Sequence, residues 1–339
     1  MTVILVVLIG MALVFDFLNG FHDSSNIVAT MISSRAIAPR AALTLTAVAE
    51  FSGPFLFGVA VAKTIGDEVV LPGSITMGVI YAALLAAIVW NLITWFFGIP
   101  SSSSHALIGG IIGAVSIYAG FGTIRLAGLG KVLIALFTSP IIGLVAGYLL
   151  TKLIFRLAAG ATPRINGFFR HFQVLTGVTL ALSHGANDAQ KTMGVITLGL
   201  VTCGFLPSFA VPTWVIALSA GAIAAGTAMG GWRLIKTLGA KFYKIRPVHG
   251  FATQISAASV ILGAALLGGP VSTTQVVSSA IMGVGSAERL SKVRWGVAGN
   301  IATAWFLTIP AAAAMAALLY LGLMSVPALR DALSVVAVH

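Results

Sequence analysis

GFHDSSNIVAT, residues Gly20–Thr30, follows the almost wholly apolar run TVILVVLIGMALVFDFLN. It sets His22, Asp23, two serines and Asn26 in the path of one hydrophobic block that covers about residues 3–33. An apolar block of that length has the dimensions of a membrane-crossing helix. A carboxylate inside it costs several kcal/mol unless it is paired or hydrated. The polar cluster therefore has to face protein, water or a bound ion, and the rest of the chain must supply that environment.

The composition makes the membrane reading general. The chain has 339 residues, 58% hydrophobic and only 8% charged, with a mean hydropathy of +1.05. A soluble domain carries about a quarter charged residues, so this chain cannot cover a water-facing surface. Long apolar runs recur, and the short alternating segments of outer-membrane strands do not, so the expectation is an all-α polytopic membrane protein in the cell (inner) membrane. The single Cys203 excludes an internal disulfide and a cysteine metal cage. The first run has no basic leader and reads as a retained span.

Further hydrophobic blocks cover 41–62, 74–120 (broken at GIPSSSS) and 132–151. A basic stretch, 152–172, follows, and the pattern restarts at 173–200, 208–230, 250–285 and 296–325. The second half echoes the first. GFHDSSN at 20–26 matches GANDAQK at 185–191, IPSSSSH at 99–105 matches GPVSTTQ at 269–275, and TSP at 138–140 matches TIP at 308–310, at offsets of 165 to 170. Three ordered matches at nearly one spacing indicate an internal duplication: repeats at 1–151 and 173–325, a basic linker at 152–172 and a tail at 326–339.

Charge gives the orientation. With the N-terminus outside and each interrupted block a there-and-back hairpin, fourteen Lys and Arg fall in inside loops (34–40, 152–172, 231–249, 286–294) and four outside. This positive-inside bias accounts for the net charge of +11 without nucleic acid. The same parity makes the halves opposite in the membrane, an inverted repeat of the kind secondary transporters use. The breaks suggest re-entrant hairpins, and interrupted helices are expected at all four polar motifs. The basic run at 232–247 is expected along the anionic inner leaflet, and His171 and His249 in solvent.

The motifs carry the chemistry. Asp23 and Asp188 occupy equivalent places, flanked by His22, Asn26, Asn187, Gln190 and Lys191. Capping or interhelical bonding explains one such residue; duplication favours cation or proton coupling at the acids, with the amides on an oxyanion. Ser101, Ser102, Ser103, Ser104 and His105, and Ser272, Thr273, Thr274 and Gln275, open helices after a proline. Hydroxyls there form an anion cradle at a helix N-terminus, the alternative being ordinary capping. Lys191 lies one turn after Asp188 and either neutralises it or meets an anion. Asp16 and Glu50 are unduplicated acids within spans, each a proton site or a partner for His22. His184 reads as a hydrogen-bonded structural histidine.

These residues resemble the paired signature of the inorganic phosphate transporter (PiT) family, most closely its bacterial low-affinity permeases. NGFHDSSNIVAT and SHGANDAQKTMG correspond to the two Asp motifs, and IPSSSSH and GPVSTTQ to the two hydroxyl segments, across nearly the whole chain. The resemblance implies symport of inorganic phosphate with H⁺ or Na⁺, commonly as a dimer, with neutral divalent-metal phosphate complexes accepted as substrate and no resident metal or cofactor. It also implies that Asp23, Asn26, Asn187 and Asp188 are signature residues, and that Ser102, Ser103, Ser104, Ser272, Thr273 and Thr274 form the cradle. Four features depart from the pattern: serines where Thr is frequent in the first hairpin, Gln275 where His is usual, His22 before Asp23 in place of Asn, and the lack of a large central loop. Sulfate carriers share the family. A Ser104–His105–Asp intramembrane hydrolase is disfavoured because Gln275 leaves the second copy without a base, and a passive anion channel because carboxylates sit at both motifs.

Overall fold

The computed structural model describes residues 2–71, 74–99, 101–230 and 246–334. The basic run at 232–247, expected along the inner leaflet, lies almost entirely outside them. The described residues form helices with no β-sheet. They are α1 (Thr2–Ser33), α2 (Pro39–Phe57), the short α3 (Ala60–Lys63) continuing into a wide turn at Thr64–Glu68, α4 (Met77–Phe97), α5 (Ser103–Tyr118), α6 (Leu126–Leu157), α7 (Ile165–Thr202), α8 (Thr213–Met229), α9 (Pro247–Leu266), α10 (Thr273–Glu288), α11 (Trp295–Ser325) and α12 (Pro327–Leu333). Five of them are long and apolar enough to cross a membrane, or six if α2 and α3 count as one span bent by 75°. This is a polytopic α-helical membrane protein.

Two of the four expected interruptions are present and two are not. The chain breaks between α4 and α5 and between α9 and α10, where Gly98 and Gly268 adopt left-handed φ values of 65° and 72° that favour glycine. Ser102 and Ser272 then cap the following helices, accepting from the amides of His105 at 3.2 Å and Gln275 at 3.4 Å. α5 and α10 have 16 residues each, about 24 Å, short of the ~30 Å hydrocarbon core. The Asp motifs, by contrast, lie inside the unbroken α1 and α7. Their polar side chains project sideways without costing a backbone hydrogen bond, so no helix end has to be satisfied there. The basic linker is also largely helical: α6 runs in to Leu157 and α7 begins at Ile165.

Packing exchanges the two halves. α1 packs on α8 as α7 packs on α2, and α5 on α11 as α10 on α6. Glycines set these approaches. A Cβ at Gly20 of α1 would run into the backbone carbonyl of Ile223 on α8, and one at Gly185 of α7 into that of Glu50 on α2. Gly226 and Gly53 make the reciprocal contacts with Phe17 and Leu182. The Gly in each Asp motif is thus a packing residue that brings two helix backbones together.

Two apolar clusters flank the polar centre. Along α1, Leu8, Ala12 and Phe15 belong to one cluster, and Ile27, Val28 and Met31 to the other. Along α7 the order reverses: Leu180 and Ala181 belong to the second, Met193, Ile196 and Leu200 to the first. α1 and α7 therefore run in opposite directions between the same two clusters, with the Asp motifs between them. His249, expected in solvent, is buried at the start of α9 beside Glu288, with its Nε2 3.1 Å from Glu288 Oε2. Glu288 also pairs with Arg246 and Lys292, tying α9 to α10.

Gly185→Ala is expected to destabilise the protein by about 1–3 kcal/mol through overpacking against α2, read as a lower melting temperature in detergent. Gly221→Ala on α8, where nothing lies within 4 Å of an added Cβ, leaves the melt unchanged.

Candidate functional site

α1 and α7 bring Asp23 and Asp188 together, and the first turn of α10 closes over them. The Thr273 hydroxyl lies 3.3 Å from Asp23 Oδ2 and 3.2 Å from Asp188 Oδ2. A hydroxyl has one proton to donate, so it serves the two carboxylates alternately. Thr274 donates to Asp23 Oδ1 at 2.8 Å, and Asn26 Nδ2 donates both to Asp23 Oδ1 at 2.9 Å and to Thr274 Oγ1 at 3.0 Å. His22 Nδ1 completes the first aspartate at 3.2 Å. On the other side, Lys191 Nζ donates to Asp188 Oδ1 at 2.6 Å and Asn19 Nδ2 to Asp188 Oδ2 at 3.2 Å. Asp23, Asp188 and Lys191 are buried to 2% exposure or less. Water cannot screen these charges, so each must be matched by a fixed partner.

His184 occupies the centre, a position the sequence reading did not give it. Its Nε2 lies 3.4 Å from Asp188 Oδ2 and 3.7 Å from Asp23 Oδ2, and its Nδ1 lies 2.7 Å from Glu50 Oε1. Glu50 enters the site through this histidine and not through His22. Asp16 is buried within electrostatic reach of Asp188, Lys191 and His184. The repeat contains the missed signal. At the offset of 165, His184 aligns with Asn19, each four residues before its aspartate. One helical turn places such a residue on the carboxylate's face, and in the fold Asn19 of α1 crosses to Asp188 of α7, while His184 of α7 stands between Asp188 of its own helix and Asp23 of α1.

Other expected residues hold the scaffold. Asn187 buttresses the α9–α10 break: its Nδ2 donates to the Gly269 carbonyl at 3.2 Å and its Oδ1 accepts from the Val271 amide at 3.3 Å. Gln190, two residues past Asp188 and so on another face, accepts from the amides of Val61 and Ala62 and donates to the Gly58 carbonyl, fixing the α2–α3 bend. The hydroxyl cradle is closed on itself. Thr273 and Thr274 donate to the aspartates, Ser104 to the Val271 carbonyl at 2.8 Å, Ser101 to Thr94 at 2.7 Å, and Ser102 meets His105 Nδ1 at 2.7 Å. Gln275 Nε2 lies 3.4 Å from His105 Nε2, so the two hairpin tips touch. Ser103 is buried beside them.

The site can hold small charged species. Asp23, His184 and Asp188 each offer an atom within 4.8 Å of the others, the spacing of a single shared cation or proton. Asn19 Oδ1 and Asn26 Oδ1 are buried acceptors without a protein donor. Among the described residues, a cavity of about 250 Å³ lined by Phe17, Phe21, His22, Asn91 and Trp95 reaches the site through His22. A larger, mostly apolar groove of about 880 Å³ between α6 and α9 is lined at one end by Gly269 and Val271, the backbone that Asn187 holds.

Comparison with known proteins places this geometry. A profile of the phosphate transporter family matches residues 19–316. The chain is 47% identical over 319 residues to a probable low-affinity inorganic phosphate transporter of Rhizobium meliloti, covering 94% of this chain and 96% of that protein. It is 45% identical over 324 residues to a protein of the same description from Bacillus subtilis, again covering 94% and 96%. The solved structure of a sodium-dependent phosphate transporter superposes with a TM-score of 0.88 at 25% identity, covering 96% of this chain and all of that one. With the match running from residue 19, in the turn before the first aspartate, to residue 316, this chain belongs to the phosphate transporter family.

Proposed function

We propose that the chain is a proton-coupled symporter of inorganic phosphate, built from inverted repeats at 1–151 and 173–325 joined by the basic segment 152–172. The observation that carries this reading is the Thr273 hydroxyl shared by Asp23 and Asp188, one from each repeat, in a buried centre. Phosphate at that centre faces two obstacles. The hydroxyl protons it needs point at carboxylates, and an ionised carboxylate about 5 Å away repels a phosphate charge by roughly 3 kcal/mol at an effective dielectric near 20. The Lys191 ammonium, 2.6 Å from Oδ1, offsets that repulsion at Asp188, but no fixed charge among the described residues offsets it at Asp23. Protonating Asp23 and Asp188 removes both obstacles. Each acid loses its charge and gains a donor, and Thr273 and Thr274 are released to turn towards phosphate oxygens.

Proton and phosphate binding then favour one another, and linkage makes that reciprocal. Asn26, the serines of the first hairpin and Ser272 supply further donors and acceptors. His184 and Glu50 hold and pass the proton on the far side. His22 offers the aromatic cavity a route to Asp23. The two repeats exchange conformations to open the centre to either side. A phosphate bearing a divalent metal is a compatible substrate, because the metal cancels phosphate charge against the same carboxylates. We place two copies together in the membrane.

A Na⁺-coupled mechanism is the second reading. It is favoured by the convergence of Asp23, His184 and Asp188 on one point and by the sodium-dependent structural relative. Proteoliposomes with a pH gradient and no Na⁺ separate the two: phosphate accumulation there supports protons, and accumulation only on adding Na⁺ supports sodium.

Asp23→Asn and Asp188→Asn are each expected to abolish proton-driven phosphate uptake while the protein stays folded, since an amide cannot cycle a proton. Uptake at the unsubstituted rate in both would refute the assignment. Thr273→Val removes one hydrogen bond to a charged group, about 1.5–3 kcal/mol, and should slow uptake by about tenfold or more. Thr273→Ser should restore most of it, measured as the initial rate at a fixed gradient.

A further inference from the structure

The two Asp motifs are copies, and they differ at the residue one turn after the aspartate. In the first, Asn26 occupies that place; at the offset of 165 its counterpart is Lys191. Both side chains bond the aspartate of their own motif, Asn26 Nδ2 at 2.9 Å from Asp23 Oδ1 and Lys191 Nζ at 2.6 Å from Asp188 Oδ1. The same scaffold position thus presents a neutral amide to one carboxylate and an ammonium to the other.

Lys191 is fully buried and within electrostatic reach of charged or titratable groups on three helices: Asp188 on its own α7, Asp16 on α1 and His105 on α5. It has donors and no acceptor, so a metal cation gains nothing from it, and its like charge opposes one at Asp188 Oδ1. Asn26 differs on both counts. It is uncharged, and its Oδ1 is a buried acceptor with no protein donor.

We infer that Lys191 is a tethered cation. Its ammonium permanently occupies the position at Asp188 that a mobile metal cation would otherwise take, and this determines that the cycle runs on protons without Na⁺. The inference rests on the proton-coupled reading above and names the residue that selects the ion. Asp188 keeps one oxygen for the shared proton, because Lys191 bonds Oδ1 while Thr273 and Asn19 address Oδ2. A carrier whose second cation is covalently attached moves one charge fewer per phosphate than one that must load it from solution.

The test is phosphate uptake and charge movement in proteoliposomes under a fixed pH gradient, with and without Na⁺, for the unsubstituted protein, Lys191→Asn and Lys191→Arg. The unsubstituted protein is expected to ignore Na⁺. Lys191→Asn, which installs the residue of the first motif, should lose about tenfold or more of its uptake without Na⁺. Adding Na⁺ should restore it, with one additional charge moved per phosphate. Lys191→Arg keeps the fixed charge and should stay indifferent to Na⁺. Sodium-independent uptake by Lys191→Asn at the original charge per phosphate overturns the inference. So does a Lys191→Asn protein that is folded and monodisperse yet inactive in every cation, because Lys191 would then be serving phosphate or packing. A Na⁺ requirement in the unsubstituted protein overturns the proton reading itself and is recognisable without any variant.

Discussion

Two carboxylates from different halves of the chain compete for one hydroxyl proton in a region closed to water. An ionised carboxylate taken from water into such a region costs several kcal/mol. Here Asp23 and Asp188 stand with Glu50 and Asp16 inside one centre, all but sealed from solvent. The fold is arranged around making that tolerable. Lys191, His184, His22, Asn19, Asn26, Thr273 and Thr274 each direct a polar atom at one of the four acids or at a group that holds one. These partners come from α1, α7 and α10, and each aspartate takes at least one of them from the other half: Asp23 takes Thr273 and Thr274, and Asp188 takes Asn19. Assembly of the halves completes the set of partners around both acids.

Close assembly depends on backbone contact. Gly20 against Ile223 and Gly185 against Glu50 let α1 and α7 approach their swapped neighbours without intervening side chains. In a bilayer no hydrophobic effect pulls helices together, so small residues and direct packing carry association. The same glycines precede the aspartates by three residues, which puts the close contact and the carboxylate on one face. The contact that fixes the helix pair therefore also fixes the acid. Asn187 links this pair to the hairpin by holding both a carbonyl and an amide of the 269–271 backbone, and through that break Thr273 is delivered to the shared proton.

The membrane class and the pairing of the Asp motifs were legible because each is written locally: long apolar runs, and similar words at a fixed offset. Helix continuity through GFHDSSN was not. Polar residues in a span look like a break when read along the chain, yet side chains projecting towards α7 need no broken backbone. The hairpin serines read correctly as a helix start because proline and glycine punctuate them. Which surface His184, Glu50 and Gln190 share is a tertiary matter. His184 looked structural because its counterpart is an asparagine and not a histidine, and only the offset identifies Asn19 as its partner. Gln190 looked like a ligand by proximity in sequence, although two residues along a helix turn it to another face and into the α2–α3 bend.

The contrast between a symmetric scaffold and an asymmetric centre has a consequence for how such a fold works. When two halves exchange the same packing contacts, swapping their conformations conserves most of the packing energy. In the proposed transport cycle the outward-open and inward-open states would then lie close together, and a small differential interaction would move the population between them. Apolar contacts, being duplicated, cannot supply that difference. It must come from the positions where the copies diverge: His22 against Asn187, Asn19 against His184, Asn26 against Lys191. These are the residues around the aspartates, and most of them carry or pair with charge. A proton or an anion entering the centre changes their mutual energy by amounts that buried electrostatics makes large. In the proposed mechanism, the matched packing would leave the two states nearly balanced, and the unlike residues would let the bound ions decide between them.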